Sequence, residues 1–154
     1  MRRLPALFAA LLLPASQPLL LGTALSTAAL LVSEAPARAQ SSVDALLEKA
    51  KALLGKQGSE RELIKLANQV LALRQSAEAY FYRAYAKYDL GDKQGAIADY
   101  NQAIVINPQD ADAWGARGLA KYQLGDRYGA CEDMRKSASL GSPVAQRLLP
   151  QVCQ

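Results

Sequence analysis

The sequence predicts an all-α protein built from antiparallel helix–turn–helix repeats, and three observations carry that prediction. The stretch YFYRAYAKYDLGDKQGAIADYNQAI from Tyr80 lies without a gap over WGARGLAKYQLGDRYGACEDMRKSA from Trp114, at an offset of 34 residues with ten identical pairs. Self-similarity at a fixed period of this length marks stacked supersecondary units. Each copy carries a Gly-Asp dipeptide in its middle, Gly91-Asp92 and Gly125-Asp126. The apolar residues on either side of that dipeptide follow helical spacing.

The chain opens with a segment of different character. Met1-Arg2-Arg3 is basic, Leu4–Val32 is nearly uncharged, and Ala37-Arg38-Ala39 places small residues two apart. This is the layout of a secretory signal cleaved after Ala39, with a mature chain beginning at Gln40. A membrane anchor retained through residues 4–32 is the alternative. Pro14 and Pro18 divide the run, and its longer part, Leu19–Val32, is shorter than the roughly 20 apolar residues a straight spanning helix needs. The expected domain order is therefore a signal peptide or anchor over 1–39, a degenerate helix pair over 43–76, repeat units over 77–110 and 111–142, and a terminal helix over 143–154.

Within the first good unit the expected helices are Ala77–Leu90 and Lys93–Ile106, and within the second Ala111–Leu124 and Arg127–Leu140. Gly91 and Gly125 follow the last apolar residue of a helix, where a left-handed backbone angle is wanted. Asp92 and Asp126 then stand as caps of the next helix. Pro108 ends its helix because it lacks an amide proton and disfavours helical geometry at Asn107. Ahead of these units, NQVLAL from Asn68 lies over NQAIVI from Asn101 at an offset of 33, a worn third copy. Its first helix is expected over Val43–Leu54, with Gly55 and Gly58 at the turn. A final helix, Pro143–Val152, is capped by Ser142 and started by Pro143. A polar terminal cap of this kind is what a short stack of repeats requires.

These residues resemble the tetratricopeptide family and its pattern of W-x2-L-G-x2-Y, A-x3-F and P. Trp114 and Tyr80 take the tryptophan place, Gly118 and Ala84 the glycine place, and Ala130 and Ala96 the alanine place. Tyr100 and Met134 take the phenylalanine place and Pro108 the proline place. Arg83 and Arg117 stand where leucine is usual, and Lys87 and Lys121 where tyrosine is usual. The resemblance implies a right-handed superhelix whose first helices line a concave peptide-binding groove. It would place Phe81, Tyr85, Tyr88, Asp89, Leu119 and Tyr122 along that groove, with Gly115 leaving its wall shallow in the last unit. The rival reading packs most of these rings between neighbouring repeats. The family's clamp of lysine, asparagine and arginine on a terminal carboxylate is not reproduced, since the places hold Phe81, Tyr85, Gly115 and Leu119. A lone exported array of such repeats is similar to small proteins common in cyanobacteria, which implies the periplasm or thylakoid lumen.

Catalysis finds little support. The chain has no histidine, which removes the commonest general base and the commonest metal ligand. Neither a metal nor another cofactor is expected. Taking Arg2, Arg3 and Arg38 from 18 basic residues and Glu34 from 14 acidic ones leaves 15 against 13 beyond the leader, with no basic stripe for nucleic acid. Asp89 with Asp92 reads as turn chemistry, and Glu132 with Asp133 as the start of a surface helix. Arg83 and Arg117, repeated at one place, are expected to pair with Asp99 and Asp133 inside each hairpin, at less than about 1 kcal/mol for a partly exposed pair. In an exported chain Cys131 and Cys153 are a candidate disulfide, and otherwise a small buried hydrophobe and a terminal thiol. The function expected is a non-enzymatic scaffold for a protein or peptide partner. The alternative is a membrane-anchored assembly or chaperone-like factor.

Overall fold

The computed structural model describes residues 39–154, and the leader expected over 1–39 lies almost wholly outside them. The described residues form seven helices and no strand. They are α1, whose described part covers 39–51, α2 (Glu60–Leu73), α3 (Ala77–Asp89), α4 (Lys93–Ile106), α5 (Ala111–Gln123), α6 (Arg127–Ser139) and α7 (Pro143–Val152). Consecutive helices pack on one another throughout, and α3 also touches α5 as α5 touches α7. The result is an all-α solenoid of three hairpins closed by α7. No helix among the described residues is long and apolar enough to cross a membrane.

The turns follow from the glycines. Gly91 and Gly125 have φ of 89° and 88°, the left-handed region that a side chain makes costly. Leu90 and Leu124 cap the helices, so α3 and α5 each end one residue earlier than expected, as does α6 at Leu140. The left-handed residue lets the amides of Asp92 and Asp126 reach back to the carbonyls of Lys87 and Lys121 at 2.9 and 3.0 Å. The carboxylates of the same aspartates then accept from the amides of Gly95 and Gly129, both at 2.9 Å, and so start α4 and α6. Leu140-Gly141-Ser142 repeats this stop-and-start unit before α7, where Ser142 accepts from Ala145.

The first hairpin departs from expectation. Its leading helix is already formed at residue 39 and stops at 51 rather than Leu54. Leu53 and Leu54 turn instead to carbonyls three residues back, Ala50 and Lys51, and tighten the chain towards Gly55 and Gly58, both at positive φ. The core of this hairpin is aliphatic: Val43, Leu47, Ala50, Leu63, Leu66, Ala67 and Val70 are buried. In the later hairpins small residues let helices approach and one large side chain fills the space. Ala84 and Ala96 enclose Tyr100, and Ala130 lies against Met134. A Cβ on Gly118 would sit 3.1 Å from the Cβ of Asp133 and 3.2 Å from the carbonyl oxygen of Ala130. Tyr80 and Trp114 pack with Ala103, Ile104 and Ala113 where α4 meets α5.

Candidate functional site

The charged residues that recur at a fixed place turn into the hairpins. The guanidinium of Arg83 donates to both carboxylate oxygens of Asp99, Nε to Oδ2 at 2.8 Å and Nη2 to Oδ1 at 2.6 Å. Its Nη1 donates to Asn68 of α2 at 2.7 Å, and Lys87 Nζ closes on Asp99 at 2.7 Å. One unit later Arg117 binds Asp133 through both oxygens and Asn101 of α4, and Lys121 lies 2.9 Å from Asp133. Each arginine lies over the aromatic ring three residues before it, Arg83 over Tyr80 at 5.4 Å and Arg117 over Trp114 at 4.6 Å.

The expected pairs are therefore present, but their setting differs from that of a surface pair. Asp99 and Asp133 are buried, with side chains 6% and 3% exposed. Asp133 is no surface-helix residue. Each is the centre of a network linking three consecutive helices, a geometry in which losing one partner strands a charge. Burial pushes the Asp99 carboxyl up, but hydrogen bonds and charge from Arg83 and Lys87 outweigh it and hold the group below the ordinary carboxylate range. The repetition of Lys87 and Lys121 at one offset was the signal that they share this role.

Two depressions lie along the first helices of the hairpins. One, of about 260 Å³, is lined by Lys51 at the end of α1 and Leu54 after it, by Glu78, Phe81 and Tyr82 of α3, and by Asp110 and Asp112 at the start of α5. The other, of about 530 Å³, is lined by Gly55, Lys56 and Gln57 of the first turn, by Glu60 at the start of α2, and by Tyr85 and Asp89 of α3. Both are negative in character. Burial and the nearby Glu60 raise the Asp89 carboxyl above its ordinary value, and burial with Glu78, Glu48 and Asp110 raises the Tyr82 hydroxyl. Asp89 is thus a depression-lining carboxylate, while Asp92 caps α4.

The structure divides the residues expected along a groove. Phe81, Tyr85 and Asp89 line the depressions, although Phe81 also packs on Tyr100, ring centroids 5.7 Å apart, and Tyr85 on the aliphatic core of the first hairpin. Tyr88 packs with Ala84, Ala96 and Tyr100, and its hydroxyl accepts from Gln123, tying α3 to α5. Leu119 and Tyr122 are half-buried with Ala130, Met134 and Ala145 beneath α7, and line neither depression. Gly115 does not thin a groove wall. A Cβ there would stand 3.0 Å from Ser137 Oγ, so its missing side chain faces α6, where Ser137 donates to the carbonyl of Ala111 at 2.7 Å.

Sequence reasoning missed Lys51, Glu60, Asp110 and Asp112, which reach the depressions from the helix ends of the first hairpin and from the start of the last repeat. At the far end a disulfide joins Cys131 to Cys153, with Cα atoms 4.9 Å apart, and fastens α7 to α6. Among the described residues no group of three or more His, Cys, Asp or Glu side chains is placed to hold a metal ion.

With this geometry in view, the family model described as TPR repeat matches residues 84–125. Comparison with curated protein sequences gave no match. Solved structures similar to the chain include the crystal structure of MamA, at 27% identity and a TM-score of 0.65, covering 71% of this chain and 66% of that one. The Sgt2 TPR domain from Aspergillus fumigatus is 26% identical with a TM-score of 0.66, covering 72% of this chain and 76% of that one. The first TPR of Spaghetti (RPAP3), bound to the HSP90 peptide SRMEEVD, is similar in fold at 24% identity and a TM-score of 0.66, covering 71% of this chain and 89% of that one. The chain thus spans about two thirds of the length of MamA. Its 34-residue repeat, its hairpin packing and these likenesses together show an all-α solenoid of tetratricopeptide type, with a TPR repeat over residues 84–125.

Proposed function

We propose that this protein is a non-enzymatic interaction scaffold that holds a segment of a partner protein along the face formed by α1, α3 and α5. The observation that carries the reading is the row of α3 side chains, Glu78, Phe81, Tyr82, Tyr85 and Asp89, which lines two adjoining depressions between successive hairpins. Aromatic rings supply large contact area at small entropic cost, which suits them to anchor a bound segment. The fold neighbour that carries the HSP90 peptide supports a peptide as the kind of ligand.

We further propose that the scaffold acts after export, with a mature chain starting at Gln40, in the periplasm or thylakoid lumen. Support comes from the basic, apolar and Ala-x-Ala order of residues 1–39 and from the disulfide, since such bonds persist in oxidising compartments.

The groove is tested by installing a photoreactive residue at Tyr82 or, on another face, at Val105, which is 76% exposed. Partner capture through Tyr82 and not Val105 supports the reading. Capture through Val105 alone sinks it. Mass measurement of the N-terminus in cells tests export, and an intact leader in the membrane fraction counts against it.

A further inference from the structure

The chemistry of the occupant follows from which charges remain on the α1, α3 and α5 face, an inference that rests on the groove reading above. Helices α3 and α5 together carry four cations, Arg83, Lys87, Arg117 and Lys121, and every one is spent on Asp99 or Asp133 inside a hairpin. Their carboxylates are not matched in the same way. Glu78, Asp89 and Asp112 have no ion-pair partner among the described residues. The first depression therefore holds Glu78, Asp110 and Asp112 against Lys51, and the second Glu60 and Asp89 against Lys56. Between these carboxylates stand Phe81, Tyr82 and Tyr85, whose ring faces attract cations and whose surface accommodates an aliphatic stem.

We infer that the groove takes an extended basic segment of a partner protein, with one lysine or arginine side chain seated in each depression. Burial and the nearby Glu60 raise the Asp89 carboxyl, in keeping with a depression whose two carboxylates outnumber its single lysine, Lys56. The two depressions are centred about seven residues apart along α3, or about 10 Å at 1.5 Å per residue. An extended segment in the polyproline II form advances about 3.1 Å per residue with three residues per turn, so two basic side chains three residues apart share one face about 9 Å from each other. Acidic tails of the kind seen in SRMEEVD meet the wrong sign here.

The test uses the full chain in a non-ionic detergent and three fluorescent peptides of equal length, each carrying a photoreactive group. They differ at two places three residues apart, which hold lysine, glutamine or glutamate. The lysine peptide is expected to bind tightest, to weaken as salt rises, and to label α3. In a Glu78→Gln, Asp112→Asn variant with an unchanged helical circular dichroism spectrum its affinity falls roughly tenfold. Reversal by Glu78→Lys with Asp112→Lys turns the preference towards the glutamate peptide. If the glutamine or glutamate peptide labels the α3 of the unmodified chain as tightly, or if binding of the lysine peptide ignores salt, the basic-segment inference is overturned while the groove stands. If no peptide labels α3, the groove reading fails and this one with it.

Discussion

The first hairpin and the two that follow it solve one packing problem in opposite ways. In the register set by Asn68 over Asn101, Leu66 of α2 occupies the place of Asp99 in α4. Leu66 is 7% exposed and packs with Ala50, Leu63 and Ala86. Asp99 is buried to a similar degree and is surrounded by Arg83, Lys87 and, through Arg83, Asn68. The place therefore accepts an apolar side chain or a carboxylate with all its partners. What it does not accept is a carboxylate with partners missing, because a stranded buried charge keeps its desolvation cost and loses the compensation. The hairpins differ at their turns as well. Asp92 and Asp126 cap their helices, whereas Ser59 makes no side-chain cap and donates instead to the carbonyls of Leu53 and Lys56.

The largest effect should come from exchanging the two solutions one residue at a time. Asp133→Leu leaves Arg117 and Lys121 without their shared carboxylate, and Leu66→Asp buries a carboxylate with no arginine. Each is expected to cost about 3 kcal/mol or more in urea unfolding. Losses within about 0.5 kcal/mol of zero, the range of ordinary surface substitutions, would remove the contrast between the hairpins. The next effect distinguishes the two ends of the stack. Removing the disulfide with Cys131→Ser and Cys153→Ser releases a closed loop of 22 residues and should cost about 3 kcal/mol in the chain-entropy model. Faster amide exchange is expected in α7 and the adjoining part of α6, and exchange that quickens first in α2 would contradict it. The smallest concerns the turns. Asp92→Ala should cost about 1 kcal/mol through loss of the cap, and Ser59→Ala clearly less. Equal losses in thermal unfolding would show that the first turn depends on its serine as much as the others depend on aspartate.

Much of the fold is legible in the chain because repeats concentrate their information locally. Gly91, Asp92, Gly125 and Asp126 announce both turns, and Pro143 and Ser142 announce α7, since each acts on its own backbone. The arginine–aspartate pairs were legible for a different reason: partners 16 residues apart recur together, and recurrence reveals dependence between places that spacing alone does not connect. That α1 already includes Ser41 and Ser42 was not legible, because serine is a middling helix former at best, and the packing of Val43 and Leu47 against α2 supports the helix there.

The candidate groove shows where local information ends. The resemblance placed Phe81, Tyr85, Tyr88, Leu119 and Tyr122 along one groove, yet α7 covers the last two and Gln123 engages Tyr88. Helical phase states where a side chain points relative to its own axis, and the neighbouring helices decide whether anything is left open there.

The sequence by itself determined the repeat, its period, the sites of the turns and the class of fold, since these depend on residue types acting within a few positions or recurring at one offset. The tertiary structure alone decided that Asp133 is a buried centre, that Gly115 faces α6, and that α3 presents carboxylates while the cations of its own helix point inward. The sign of the charge a face offers depends on which of its ions are already neutralised by other helices, and that is a property of packing.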